Sequence, residues 1–227
     1  MEFEKSKFES RVRAVIFDLD GLIVDTEPLH QKSFNVLLAR HKIEYVIDEK
    51  EYGREFVGVP VEDNFDYLVS RFNFQSPMPV LIAEREQIFI SLASDPQNLN
   101  VMPGARKLID RLNMRGIPFA LATGSARDEA TTMLRGIGFT NYFRAIVTGS
   151  DVARGKPAPD IYLKAVSELK IDPAKCLALE DSAAGVASAK SAGLRVIVVP
   201  NRFTAQQDLW MADARVASLE KVKDILK

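Results

Sequence analysis

Apolar positions along this chain follow two rhythms. Short apolar runs recur at 14–17 (Ala-Val-Ile-Phe), 118–122 (Pro-Phe-Ala-Leu-Ala), 145–147 (Ala-Ile-Val), 176–179 (Cys-Leu-Ala-Leu) and 195–199 (Arg-Val-Ile-Val-Val). Each ends abruptly in polar residues. Runs this short and apolar on both faces predict central strands of a parallel sheet. Between them lie stretches of helical period. Residues 105–115 place Leu108, Ile109 and Leu112 on one face and stop at Gly116; 126–137 stop at Gly138, and 183–192 at Gly193. Residues 160–169 follow Pro157 and Pro159, prolines suited to a helix start. Strand–helix alternation from about residue 100 onward therefore predicts a doubly wound, Rossmann-like α/β core with right-handed crossovers.

The stretch after the first strand breaks that alternation. Residues 27–95 show helical periodicity only, as in Ser33, Phe34, Leu37 and Leu38, or Phe65, Leu68, Val69 and Phe72. A βα loop spans about 2–6 residues, so this segment reads as an inserted all-helical cap domain. The core is then expected to comprise 1–26 and 96–227, joined to the cap by linkers near 25–27 and 95–103.

Composition narrows the classes. Across 227 residues, 47% are apolar and 27% charged, with a net charge of -1. That near-neutrality supplies no footprint for nucleic acid or an anionic membrane. No stretch approaches the ~20 apolar residues needed to span a bilayer. The first 13 residues are charged throughout and lack a signal sequence's apolar centre, so a cytoplasmic enzyme is expected, with a monomer favoured. The single cysteine, Cys176, lies inside an apolar run and reads as an inert buried thiol.

Ligands in open α/β sheets bind beyond the carboxyl ends of the strands, so the residues that follow each run carry the chemistry. They are Asp18 and Asp20 after the first, Thr123, Gly124 and Ser125 after the second, Lys156 in the loop past the third, and Glu180 and Asp181 after the fourth. Clustered carboxylates need a cation, and hard oxygen donors beside a phosphate favour Mg²⁺. A calcium-binding EF-hand loop fails on spacing, because its glycine stands sixth and Gly21 stands fourth in DLDGLIVD. A carboxylate such as Asp18 can attack phosphorus to give an aspartyl-phosphate. A second carboxyl two residues on can protonate the leaving oxygen and later activate water. Thr123 and Lys156 suit the equatorial oxygens of a transferring phosphoryl group, and Gly21 and Gly124 suit tight backbone turns beside it. Thr123 alone would also serve as a helix N-cap, but Ser125 competes for that place.

In these residues the chain resembles the haloacid dehalogenase superfamily, in the β-phosphoglucomutase-like branch with a helical cap after the first strand. The four motifs appear in order: Asp18-Leu19-Asp20-Gly21 with Asp25-Thr26, Thr123-Gly124-Ser125, Gly155-Lys156-Pro157, and Glu180-Asp181-Ser182 with Gly185. The resemblance implies Asp18 as nucleophile and magnesium ligand, and Asp20 as general acid/base that also ligates the metal through its carbonyl. It further implies Thr123, Gly124 and Lys156 as phosphate binders, and Asp181 as a magnesium ligand with Glu180 as a direct or outer partner.

Within that family, Asp20 disfavours dehalogenase and phosphonate-cleaving chemistry, which lack the second aspartate. The Gly58-Val59-Pro60-Val61 stretch stands where similar phosphomutases carry a Ser-Arg pair that binds a second phosphate, unless Arg54 or Arg71 replaces it. The expectation is therefore a Mg²⁺-dependent phosphatase of a small phosphorylated metabolite, a sugar phosphate above others. A β-phosphoglucomutase-type mutase is the alternative, and a non-catalytic binding protein on the same fold a remote one. His30, just past the first linker, either contacts substrate or packs at the cap's base. Asp25 is expected to shape the turn there, His41 to be a solvated helix end, and Trp210 to pack in the core or its rim.

Overall fold

In the computed structural model, residues 12–222 are described; most of the charged N-terminal stretch lies outside them. Six parallel strands form one sheet in the order β5-β4-β1-β6-β7-β8. These are β1 (Ala14–Phe17), β4 (Phe119–Ala122), β5 (Ala145–Val147), β6 (Cys176–Glu180), β7 (Arg195–Val198) and the two-residue β8 (Ala214–Arg215). The doubly wound α/β fold is thus present, with β8 the one strand of this sheet that the apolar runs did not announce.

Side-chain alternation explains why both faces are apolar. On β1, Val15 and Phe17 enter one core cluster and Ala14 and Ile16 the other; on β6, Leu177 and Leu179 oppose Cys176 and Ala178 in the same way. Helices α5 (Ala105–Met114), α6 (Arg127–Gly136) and α9 (Leu219–Val222) supply apolar residues to the first cluster. Helices α7 (Asp160–Leu169) and α8 (Ala183–Ser191) supply the second. Cys176 is fully buried in that second cluster, and burial pushes its thiol up to about 11, which keeps it protonated.

Between β1 and α5 come four helices, α1 (Glu27–Arg40), α2 (Glu49–Glu55), α3 (Val61–Arg71) and α4 (Met78–Ala93). They enclose a third apolar cluster around Phe34, Leu37, Leu38, Phe56, Phe65 and Leu68. Helix α4 faces both ways, since Ile88 joins this cluster while Phe89 and Ala93 join the sheet's. The two chain crossings into the helical segment pair with each other as β2 (Val24–Asp25) and β3 (Asn100–Val101), antiparallel, with Asp25 opposite Asn100. Two-residue strands carry no periodic signal, so the pattern could not announce this clasp.

Two expectations fail here. Trp210 is 78% exposed rather than packed, because the segment around it runs as turns outside the last strand pair. His41 is not a solvated helix end: its Nε2 lies 2.9 Å from the Glu84 carboxylate on α4, and its ring stands edge-on to Phe74. Among the described residues no helix is long and apolar enough to cross a membrane.

Candidate active site

Asp18 leaves the central strand β1 with its N–H bonded to the Leu179 carbonyl of β6, 3.0 Å away, so the neighbouring strand sets its position. Glu180 and Asp181 leave β6 alongside it. Lys156 reaches in from the loop after β5, with its Nζ 2.6 Å from Asp18 Oδ1 and 2.5 Å from Glu180 Oε1. The Glu180 carboxylate is fully buried and also accepts from Tyr162 Oη (2.6 Å), the Asp181 N–H (3.1 Å) and Ser182 Oγ (3.3 Å). Gly185 makes room for it: a Cβ there would stand 2.0 Å from the Glu180 carboxyl. Asn201 donates to Asp181 Oδ2 (2.8 Å) and to the Gly21 carbonyl (3.3 Å). Gly21 takes φ +74°, and any Cβ would lie 2.5 Å from both Asn201 Nδ2 and Asp181 Oδ2, so glycine is required at that turn.

These groups set their own proton affinities. Burial pushes Asp18 up to about 8; Lys156 opposes the shift, while Glu180 and Asp20 add to it. Burial raises Asp181 as well, helped by the charges of Asp18 and Glu180. Burial alone would weaken the Lys156 proton, yet Asp18 and Glu180 reverse that and keep it an ammonium. Ligand atoms of Asp18, Glu180 and Asp181 lie within 4.8 Å of one another. Three buried carboxylates against one ammonium leave net negative charge, and oxygen is the only donor type they offer. A hard divalent cation fits that donor set and would favour the ionised carboxylates that burial, with their mutual repulsion, disfavours.

Asp20 faces other surroundings. Its Oδ2 accepts from Thr123 Oγ1 at 2.9 Å and Ser125 Oγ at 2.5 Å, while its Oδ1 lies 3.6 Å from His30 Nε2 on α1. Burial would raise Asp20, but His30, Ser125 and Thr123 together outweigh it and hold the carboxyl at about 2. The expected contest over a helix cap between Thr123 and Ser125 does not occur. Residue Ala126 caps α6 without a side-chain bond, because the charged Asp20 carboxylate draws both hydroxyls. Gly124 has open space where a Cβ would stand, so no close backbone approach requires glycine there; the tight approach belongs to Gly149, whose Cβ would fall 2.3 Å from the Gly124 carbonyl oxygen.

All the strand-end residues singled out in the sequence thus meet at one sheet edge, with His30 above Asp20. Asp25 sits in the β2–β3 clasp. Arg54 and Arg71 do not join them. Arg71 is committed to Glu51 and to the Tyr45 and Tyr67 hydroxyls, and Arg54 to Glu55. Sequence reasoning missed Tyr162 and Asn201, as well as Arg85, which meets His30, and its partner Glu129. Tyr162 follows the Lys156 motif on α7 and was open to suspicion as a polar group in a buried helix face; the other three carry no local signal.

The sequence model of the haloacid dehalogenase-like hydrolases matches residues 15–199. The chain is 34% identical over 218 residues to protein CbbY of Rhodobacter capsulatus, covering 92% of this chain and 94% of that one. It is 32% identical to a phosphorylated carbohydrates phosphatase of Thermotoga maritima, covering 95% and 99%. Among solved structures, a variant of CbbY from Rhodobacter sphaeroides in complex with xylulose-(1,5)bisphosphate superposes with a TM-score of 0.85. That match has 28% identity and covers 95% of this chain and all of the other.

Proposed function

Because this chain belongs to the haloacid dehalogenase-like hydrolase family and is a phosphoric monoester hydrolase acting on phosphorylated substrates, we propose that it removes phosphate from a small sugar phosphate in two displacements, the first onto Asp18. The observation that carries this reading is the opposed setting of two aspartates two residues apart. Asp18 lies in a cradle with an ammonium at 2.6 Å and a carboxylate cluster, while Asp20 lies outside that cluster among hydroxyls and His30.

Asp18, Asp181 and Glu180, with the Asp20 carbonyl, are the residues that would hold Mg²⁺. When bound, the ion neutralises charge on the phosphoryl oxygens and on the nucleophile. In this reading Asp18 attacks phosphorus, and Lys156 steadies charge on the equatorial oxygens. Thr123, whose hydroxyl donates to Asp20, would turn with the Gly124 backbone to the phosphoryl oxygens. Asp20 enters as a carboxylate, and an approaching phosphate dianion raises its proton affinity by like-charge repulsion. Having thereby taken up a proton from solvent, it gives that proton to the leaving oxygen, and as a carboxylate again it takes a proton from the water that hydrolyses the aspartyl-phosphate.

Helices α1–α4 act as a cap over the sheet edge, excluding bulk water and selecting a small leaving group. Phosphatase rather than mutase chemistry is favoured because Gly58-Val59-Pro60-Val61 carries no arginine and Arg71 is tied to Glu51, Tyr45 and Tyr67. Of the two expected stand-ins for a distal-phosphate arginine, that leaves only the solvent-facing Arg54, paired with its neighbour Glu55.

The test is release of inorganic phosphate from a panel of sugar phosphates and bisphosphates, with Mg²⁺ and with a chelator. Mg²⁺-dependent release is expected. Conversion of β-glucose 1-phosphate to glucose 6-phosphate in the presence of its bisphosphate, without matching free phosphate, would overturn the phosphatase reading.

A further inference from the structure

Arg85, on α4, is an arginine only 4% exposed, and every edge of its guanidinium is used. Its Nε donates to Ser33 Oγ at 2.9 Å, Nη1 lies 3.5 Å from Glu129 Oε1, and Nη2 meets His30 Nδ1. Glu129, on α6, is itself 5% exposed. The faces of Phe34 and Phe89 lie 5.0 and 5.2 Å from the Arg85 carbon Cζ, and the His30 ring stacks on Phe89 at 4.3 Å. A charge pair buried this deeply seldom adds stability over an apolar pair of the same volume, so its retention calls for a job.

We propose that Arg85 is a positioning residue for Asp20, acting through His30. An arginine side chain can only donate hydrogen bonds. His30 Nδ1 must therefore accept, and the ring's proton sits on Nε2, which faces Asp20 Oδ1. That oxygen is buried and has no hydrogen-bond partner among the described residues; His30 Nε2, 3.6 Å away, is the donor that faces it. The contacts form a circuit. Glu129 on α6 holds Arg85 on α4, Arg85 fixes His30 on α1, and His30 faces Asp20, whose other oxygen is held by Thr123 and Ser125 just before α6. The two oxygens of Asp20 are thus aimed from opposite sides, one by the sheet edge and one by the helical segment. This inference rests on reading Asp20 as the group that moves protons.

The chain has two histidines, so ring-¹⁵N-histidine NMR resolves His30 directly, with His41→Gln for assignment. The intact protein is expected to show Nε2 protonated and Nδ1 bare; a proton on Nδ1 overturns the proposal by itself, whether or not any variant folds. Arg85→Gln combined with Glu129→Gln removes both charges together and strands neither. It is expected to lose the single tautomer and to lower kcat roughly 10–100-fold, the usual scale for an outer partner that orients a reacting group. KM should change less than about threefold, since the interaction acts on the chemical step. An unchanged kcat, or a lowered kcat with the tautomer intact, overturns it. Asp20→Asn separates the two readings: full turnover in that variant refutes the role of Asp20, while the His30 tautomer still reports on Arg85.

Discussion

Asp18 and Asp20 stand two residues apart and face different regions of the molecule. The region around Asp18 is built wholly from the sheet edge: Lys156, Glu180, Asp181, Tyr162 and Asn201 all come from strand ends, the loops that follow them, or α7. The region around Asp20 is a seam, shared between the loop before α6 and helices α1 and α4. In the first, burial, helped by neighbouring carboxylates, raises proton affinity; in the second, imidazole and hydroxyl donors outweigh burial and lower it. One chain segment thereby presents two carboxyls in different states to a single ligand. Without metal those states run opposite to the proposed roles, so a cation would have to release the Asp18 proton and the phosphate would have to raise Asp20 before the first displacement.

Substitution breaks this comparison most sharply. Asp18→Asn removes the nucleophile and is expected to cost on the order of 10⁴-fold or more in kcat. Asp20→Asn is expected to cost about 10²–10⁴-fold, because it removes proton transfer and leaves the attacking group in place. Steady-state phosphate release checks both, and equal losses would erase the distinction between the two regions.

Metal is expected to act chiefly on the first region, to which the second lends only the Asp20 carbonyl. At 100 times its dissociation constant, Mg²⁺ should raise stability by about 2.7 kcal/mol, or about 5–10 °C in Tm for a chain of this size. The same rise in Asp181→Asn would place the ion elsewhere.

The two aspartates should also leave opposite marks on a pH titration of stability. Asp18 is raised in the folded state, so its contribution is present at acid pH and is lost as pH climbs from the ordinary carboxylate range through about 8. Asp20 is lowered, so its contribution is present above the ordinary carboxylate pKa and is lost as pH falls through about 2. Metal-free thermal unfolding across pH is expected to show the alkaline decline, with Asp18→Asn flattening it. The smallest effect is expected from Tyr162→Phe, which deletes one buried donor to Glu180 and should cost about 1–2 kcal/mol by denaturant unfolding.

The same contrast governs what the sequence disclosed. The sheet-edge region was legible because each of its acids and its lysine follows an apolar run, and the end of a central strand points at the ligand crevice whatever the rest of the fold does. Asp18, Glu180 and Asp181 needed no knowledge of tertiary contacts to be grouped. The seam was not legible, because Arg85 and Glu129 are ordinary charged residues of helices 44 positions apart and meet only through packing. Asn201 and the β2–β3 clasp were hidden for the same reason: each acts through one long-range contact, with no period or motif beside it. Trp210 misled in the opposite direction, since an aromatic among apolar neighbours reads as core, yet its segment runs as turns outside the last strand pair.

The central claim is that phosphoryl transfer passes through Asp18 in two displacements rather than by direct attack of water. The stereochemical course at phosphorus tests it most directly. A sugar phosphate made chiral with oxygen isotopes and one sulfur would be hydrolysed in isotopically labelled water. Two in-line displacements predict retention of configuration in the released thiophosphate; inversion would contradict the account.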